Sequence, residues 1–198
     1  MAHKYNPEHK SRLDSPERRK LLPAEEILRG AGLRDGDTVA DIGAGTGYFS
    51  IPAALIVGER GRVYAIDTSP EMLGALKGAV AASGLATVKA VLSGEYDFTI
   101  PGAVADFALV ALVLHEVGDR TRFLAESLRV LMPGGTLLVI EWNNAEMEMG
   151  PPAHERIAPG DAMRALMRAG FTDIRTVDYG RHFYFLAARR PTTARGKA

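Results

Sequence analysis

The chain of 198 residues contains no cysteine. That excludes a cysteine nucleophile, a thiolate metal site and any disulfide framework, and it leaves the redox compartment unmarked. There is no surplus of charge either: 24 basic and 24 acidic side chains cancel, so nothing in the total argues for a nucleic-acid partner. No apolar run approaches the roughly 18 residues of a membrane span, and the first residues lack the apolar h-region of a secretory signal. No internal repeat or long low-complexity segment breaks the chain. A soluble, cytoplasmic protein is therefore expected. The length suits one α/β domain with its own core.

What is present is concentrated at residues 39–50. Val39-Ala40-Asp41-Ile42 reads as a short buried strand, and Gly43, Ala44, Gly45, Thr46 and Gly47 follow it before an apolar, helix-like run. Glycine lets a backbone approach a ligand closely, and the helix offers unpaired N–H groups at its start. The spacing is G-x-G-x-G, tighter than the G-x-G-x-x-G loop that clears a pyrophosphate. With Asp41 ahead of it, the loop suits a ligand with a cationic centre and no phosphate. That points to S-adenosylmethionine rather than NAD. The bland alternative is a tight strand-to-helix turn.

The rest of the chain alternates. Strands are expected at 38–42, 62–67, 87–92, 105–112 and 136–141. Helices are expected from Pro23 to Gly32, over about 48–57 with Pro52 inside, from the Ser69 cap to about Ser83, and from Asp119 to a stop at Met132-Pro133-Gly134-Gly135. Such alternation implies right-handed crossovers and a doubly wound, mostly parallel sheet with helices on both faces. The ending differs. Strands at 171–177 and 182–188, joined by a turn at Tyr179-Gly180, form an antiparallel hairpin, which brings the sheet to seven strands.

Ligands in such sheets sit beyond the carboxyl ends of the strands. Asp67 ends the second strand about twenty residues past the loop, where a carboxylate can accept from both hydroxyls of a ribose. This would serve NAD equally. Thr68 and Met72 are placed to pack on an adenine face, although Met72 also reads as core. Glu95, after the third strand, is a candidate for the adenine amino group or a plain loop acid. His115, after the fourth strand, can act as a base, aim a substrate or pack a helix; Glu116 stands beside it. The loop 143–159 is long, with Met147, Met149, His154 and Arg156, and suits a lid or a substrate wall. Residues 1–20 are polar and basic, with Pro7 and Pro16 as breakers, and suit an arm that folds over a ligand or stays solvated. Tyr5 and His9 of that arm could contribute cover or a polar contact. Residues 191–198 read as a disordered tail, which leaves residues 21–190 as the domain.

These blocks resemble the class I S-adenosylmethionine-dependent methyltransferases, within them the small "type 11" group of ubiquinone/menaquinone-type enzymes. The likeness rests on Asp41 to Gly47, on Ala65-Ile66-Asp67-Thr68-Ser69-Pro70-Glu71-Met72-Leu73, on the stretch from Asp106 to Val117, and on Leu128-Arg129-Val130-Leu131-Met132-Pro133-Gly134-Gly135. It implies that Asp41, Gly43, Ala44, Gly45 and Gly47 face the methionine part, that Asp67 holds the ribose, and that Ala111 borders the cofactor at the end of the fourth strand. The product would be S-adenosylhomocysteine. The resemblance carries over no catalytic residue. His115, with His154 second, is the candidate for taking a proton from the acceptor. The Asn-Pro-Pro-Tyr block used on base amines is missing, so a small-molecule acceptor is expected. A non-catalytic S-adenosylmethionine-binding module and an NAD-type oxidoreductase are the rival readings.

Overall fold

The computed structural model describes residues 16–144, 149–177 and 182–192. The predicted turn at Tyr179-Gly180 and the positions of Tyr5, His9 and Met147 lie outside them. Seven strands form a mixed sheet, mostly parallel, with a C-terminal antiparallel pair and helices around it. This is the α/β architecture that the alternation implied. The chain divides into two compact units, one ending at Thr99 and one beginning at Ile100.

In the first unit the strand order is β3-β2-β1, all parallel: β1 is Thr38–Ile42, β2 Arg62–Asp67 and β3 Val88–Leu92. The register pairs Asp41 with Ala65 and Asp67 with Leu92, so the carboxyl ends of all three strands lie at one edge. Helix α2 (Ala24–Gly30) buries Ile27 and Leu28. Helix α3 is Ser50–Val57, which makes Pro52 its third residue. There proline removes no hydrogen bond that the helix would make; of the two readings a proline at 52 allows, a kink or a late start, the helix takes the late start. Helix α4 is Pro70–Ser83, with the Ser69 side chain accepting from the Met72 N–H at 3.3 Å and Gly84 closing it in a left-handed conformation. Pro16 does not break the chain. It opens the short helix α1, Pro16–Leu21, where its fixed φ is already helical.

In the second unit the order is β4-β5-β7-β6. Strand β4 (Ala105–Ala111) is buried from Phe107 to Val110, as a strand covered on both faces should be. Helix α5 is Arg120–Val130, capped by Asp119, whose side chain accepts from the Arg122 N–H at 3.0 Å. The expected stop at Met132-Pro133-Gly134-Gly135 is not a break between helix and strand. It belongs to β5, Leu131–Trp142. The β4–β5 register runs from Ala105↔Leu131 to Phe107↔Thr136, so the extra residues loop out as an irregularity inside the strand. Gly134 and Gly135 bond to both backbone groups of Arg190, which seats the bulge. After β5 comes α6, Pro159–Ala169, with Pro at its start and Gly170 at its end. Strands β6 (Thr172–Val177) and β7 (Phe183–Arg189) are antiparallel.

Candidate active site

At the carboxyl edge of the first unit, the chain leaves β1 without leaving β2. The N–H groups of Gly43 and Ala44 both donate to the Ile66 carbonyl, at 2.8 and 2.9 Å. Gly45 then turns with φ of 55°, a left-handed value that side chains resist, and its N–H donates to Asp67 Oδ2 at 2.8 Å. The other oxygen, Oδ1, accepts from the Ser69 N–H at 2.8 Å. Asp67 therefore ties the glycine loop to the start of α4. Each of its oxygens carries two acceptor positions, and one on each remains for a ligand. Two acceptors on one carboxylate are what a vicinal diol requires.

Asp41 lies behind this loop, 2% exposed, with the Ser50 hydroxyl donating to Oδ2 at 2.5 Å. Burial pushes its carboxyl up to about 7. The Ser50 bond pulls it down only in part, and the charge of Asp67 pushes it further up. A cation delivered here would favour the ionised form. The other predicted contacts divide. Thr68 is exposed, and Glu95 is half-buried beside the Gly94↔Asp97 bridge. Met72 is buried among core residues, and Ala44 packs with Ala65 and Leu76. A cavity of about 440 Å³ opens on the helix side of the loop, between Thr46, Gly47, Tyr48 and α2. Neither Asp41 nor Asp67 lines it. Gly45→Val should keep the fold and lose the ligand. A branched side chain at positive φ costs about 1–3 kcal/mol and fills the backbone's approach path. Wild-type S-adenosylmethionine affinity by calorimetry in that variant would reduce the loop to a turn.

In the second unit β4 ends at Ala111, and Leu112 follows with φ of 59° while its N–H donates to the Ile140 carbonyl at 2.8 Å. The chain then makes a short 3-10 turn, Leu114–Glu116, which carries His115. The imidazole Nδ1 lies 2.8 Å from Glu141 Oε2, and Glu141 Oε1 accepts from the His115 N–H at 3.1 Å. Glu141 is 0% exposed at the end of β5. His154, by contrast, keeps 80% of its side chain in solvent, 3.8 Å from Glu155.

The loop after β5 is anchored. Arg156 donates to the carbonyls of Pro151, Asn143 and Met149 at 2.8, 3.1 and 3.0 Å. Its guanidinium holds the loop's own backbone rather than standing ready for an acceptor. The Tyr184 hydroxyl donates to the Ile157 carbonyl at 3.0 Å. Gly150, with φ of 85°, lies flat on Trp142: a Cβ there would come within 2.7 Å of the indole. Gly150→Ala should therefore cost about 1–3 kcal/mol and lower Tm. An unchanged melting curve would show that the seat is loose.

A family model described as a methyltransferase domain matches residues 40–139, half of the chain. The protein belongs to this methyltransferase family. The solved structure of a SAM-dependent methyltransferase from Aquifex aeolicus is 33% identical, with a TM-score of 0.90 over 94% of this chain and 99% of that one. The ubiquinone/menaquinone biosynthesis C-methyltransferase of Marinomonas sp. (strain MWYL1) is 34% identical over 120 residues, 60% of this chain and 48% of the relative. The demethylmenaquinone methyltransferase of Geobacillus kaustophilus is 32% identical over 124 residues, 63% of this chain and 53% of the relative. The chain thus spans about half the length of the curated relatives it matches.

The matched segment runs from Ala40, beside Asp41, through Asp67 and His115 to Val139, and stops two residues short of Glu141. Glu141 is the site residue that sequence reasoning passed over, as the acid ending an apolar strand. An acid closing a run as buried as Leu137 to Ile140 was the available signal.

Proposed function

We propose that this methyltransferase transfers the methyl group of S-adenosylmethionine to a small-molecule acceptor. The observation that carries the reading is the carboxylate of Asp67, bonded to the N–H groups of Gly45 and Ser69 with one acceptor position left on each oxygen. A ribose diol fits those two positions. The glycine loop then brings backbone against the methionine part, and the buried Asp41 meets its ammonium and sulfonium charge. Gly43, Gly45 and Gly47 leave room for that contact, with Thr68 and Glu95 nearest the nucleoside end.

Transfer is an in-line displacement from a sulfonium with a neutral leaving group. The protein's work is to align, to exclude water and to receive a proton when the acceptor carries one. Residues 149–157, ahead of α6, wall the acceptor side, since Glu155 among them acts on the charge of His115. The likeness to quinone C-methyltransferases makes a quinol the first acceptor to try. No helix among the described residues is long and apolar enough to cross a membrane, and we place the enzyme in the cytoplasm without a nucleic-acid partner.

The test has two parts. Calorimetry with S-adenosylmethionine and with NAD should give binding of the former alone; binding of NAD alone would install the oxidoreductase reading. S-adenosylhomocysteine formation is then assayed against quinols, phenols, amines and thiols. Cofactor binding with no turnover on any of them would favour a non-catalytic binding module.

A further inference from the structure

We infer that His115 and Glu141 work as one proton-accepting pair, His115 taking a proton from the methyl acceptor and Glu141 acting as its positioning residue. The inference rests on the methyl-transfer reading. Its basis is the way one buried carboxylate holds both the ring and the backbone of one histidine. Glu141 Oε1 accepts from the His115 N–H at 3.1 Å, and Oε2 accepts from the Trp142 N–H at 3.2 Å and lies 2.8 Å from His115 Nδ1. A carboxylate accepts, so Nδ1 carries the hydrogen. That fixes the tautomer and leaves the lone pair on Nε2.

The approach to this arrangement is itself strained. Leu112, a branched residue at positive φ, turns the chain beyond β4 so that His115 meets the end of β5. Burying an acid without exposure also costs free energy unless it is paired. Packing alone would be served by an apolar residue at position 141.

The charges around the ring fit a base. Glu141 faces it from β5, Glu116 Oε1 is 3.8 Å from Nε2, and Glu155 acts on it from the loop after β5. Arg120, the cation near this turn, spends its Nε on the Leu114 carbonyl at 3.1 Å. Burial alone would lower the basicity of the ring, but the three acids outweigh it and raise the pKa above 6.5. In the reaction the acceptor's X–H bond breaks and its proton passes to Nε2. The X–CH3 bond forms as the S–CH3 bond breaks. The electron pair of that bond stays on sulfur, leaving a neutral thioether and an imidazolium stabilised by Glu141. An acceptor already anionic would meet three carboxylates, so the class that fits is an uncharged or cationic X–H nucleophile.

The test uses the full chain with a naphthoquinol as acceptor probe. Wild-type turnover should rise with pH through a midpoint above 6.5, because Nε2 must be unprotonated. Glu141→Gln should lower the plateau by about tenfold or more and move the midpoint down, and Glu141→Asp should recover part of both. His115→Gln should lose about a hundredfold. S-adenosylmethionine affinity should be unchanged in all three. Histidine NMR with S-adenosylhomocysteine bound, assigned through His115→Gln, supplies a readout that needs no acceptor. The His115 midpoint should fall in Glu141→Gln. A wild-type plateau and pH profile in both Gln variants overturns the pair, as does a His115 titration indifferent to residue 141. Cofactor binding without naphthoquinol turnover counts against the quinol acceptor, and the NMR titration then decides the pair. If S-adenosylmethionine itself does not bind, the methyl-transfer reading fails first.

Discussion

Replacing Asp67 with alanine is expected to weaken S-adenosylmethionine binding by about 2–3 kcal/mol, roughly a 30- to 150-fold rise in Kd. Two losses add. The ligand's hydroxyls lose a charged acceptor, and the N–H groups of Gly45 and Ser69 lose the oxygens that hold them at 2.8 Å each. The second loss loosens the glycine loop at the point where its backbone must be fixed before the ligand arrives. Asp67→Asn separates the two. Its carbonyl oxygen can keep one of the backbone bonds, but the amide nitrogen cannot accept the other. It should fall between wild type and alanine. The parent fold should persist, since Asp67 is half-buried at a strand end and β2 keeps its pairing on both sides. Unchanged affinity by calorimetry in Asp67→Ala would remove this residue from the site.

The first unit was largely legible from sequence because its signals are local. Strands at 38–42 and 62–67 and the helix from Pro70 to Ser83 stand where apolar patterning and a Ser cap put them. Misreadings occurred where tertiary structure overrides local chemistry. Pro133-Gly134-Gly135 has the composition of a break, yet Arg190 and the neighbouring strand hold it inside β5. Pro16 has the look of a breaker and opens a helix. Helix α6 had its cues in Ala162, Ala165 and Leu166 at helical spacing ahead of Gly170, but the loop composition before it, with Pro151 and Pro152, runs up to Pro159 and masks where it starts. Among the candidate residues, Asp41, Asp67 and His115 could be singled out because each lies just past or within a strand end. That Glu141 serves His115 could not be read, since the two meet only through the pairing of β4 with β5, 26 residues apart in sequence. Nor could the work of Arg156 be foreseen: its bonds to Pro151, Asn143 and Met149 go to carbonyls, which no residue pattern announces.

Between about pH 5 and 7, S-adenosylmethionine is expected to bind more tightly as pH rises, by up to about tenfold per unit. The cause is Asp41. Burial holds its carboxyl at about 7 in the free protein, so below that pH the acid is mostly protonated and offers a cation little. An ammonium or sulfonium beside it stabilises the ionised form, and binding must then expel the proton. In the free protein the sign is the reverse. The folded state holds a proton that the unfolded chain, with its acid at 3.8, has released. Asp41 therefore favours folding fully only below about pH 4, and that contribution, of order 4 kcal/mol, is lost as pH rises to about 7. The free enzyme should lose stability across this window while the stabilisation conferred by the cofactor grows. Asp41→Asn removes both trends: its affinity should be flat with pH and below wild type at pH 7.5, and its Tm should no longer fall through this titration. Calorimetry near pH 6, in buffers of different protonation heat, should show close to one proton released per cofactor bound. A wild-type affinity independent of pH from 5 to 7, with no proton released, would mean that the cofactor's charge lies out of reach of Asp41, and that the acid serves only its bond with Ser50.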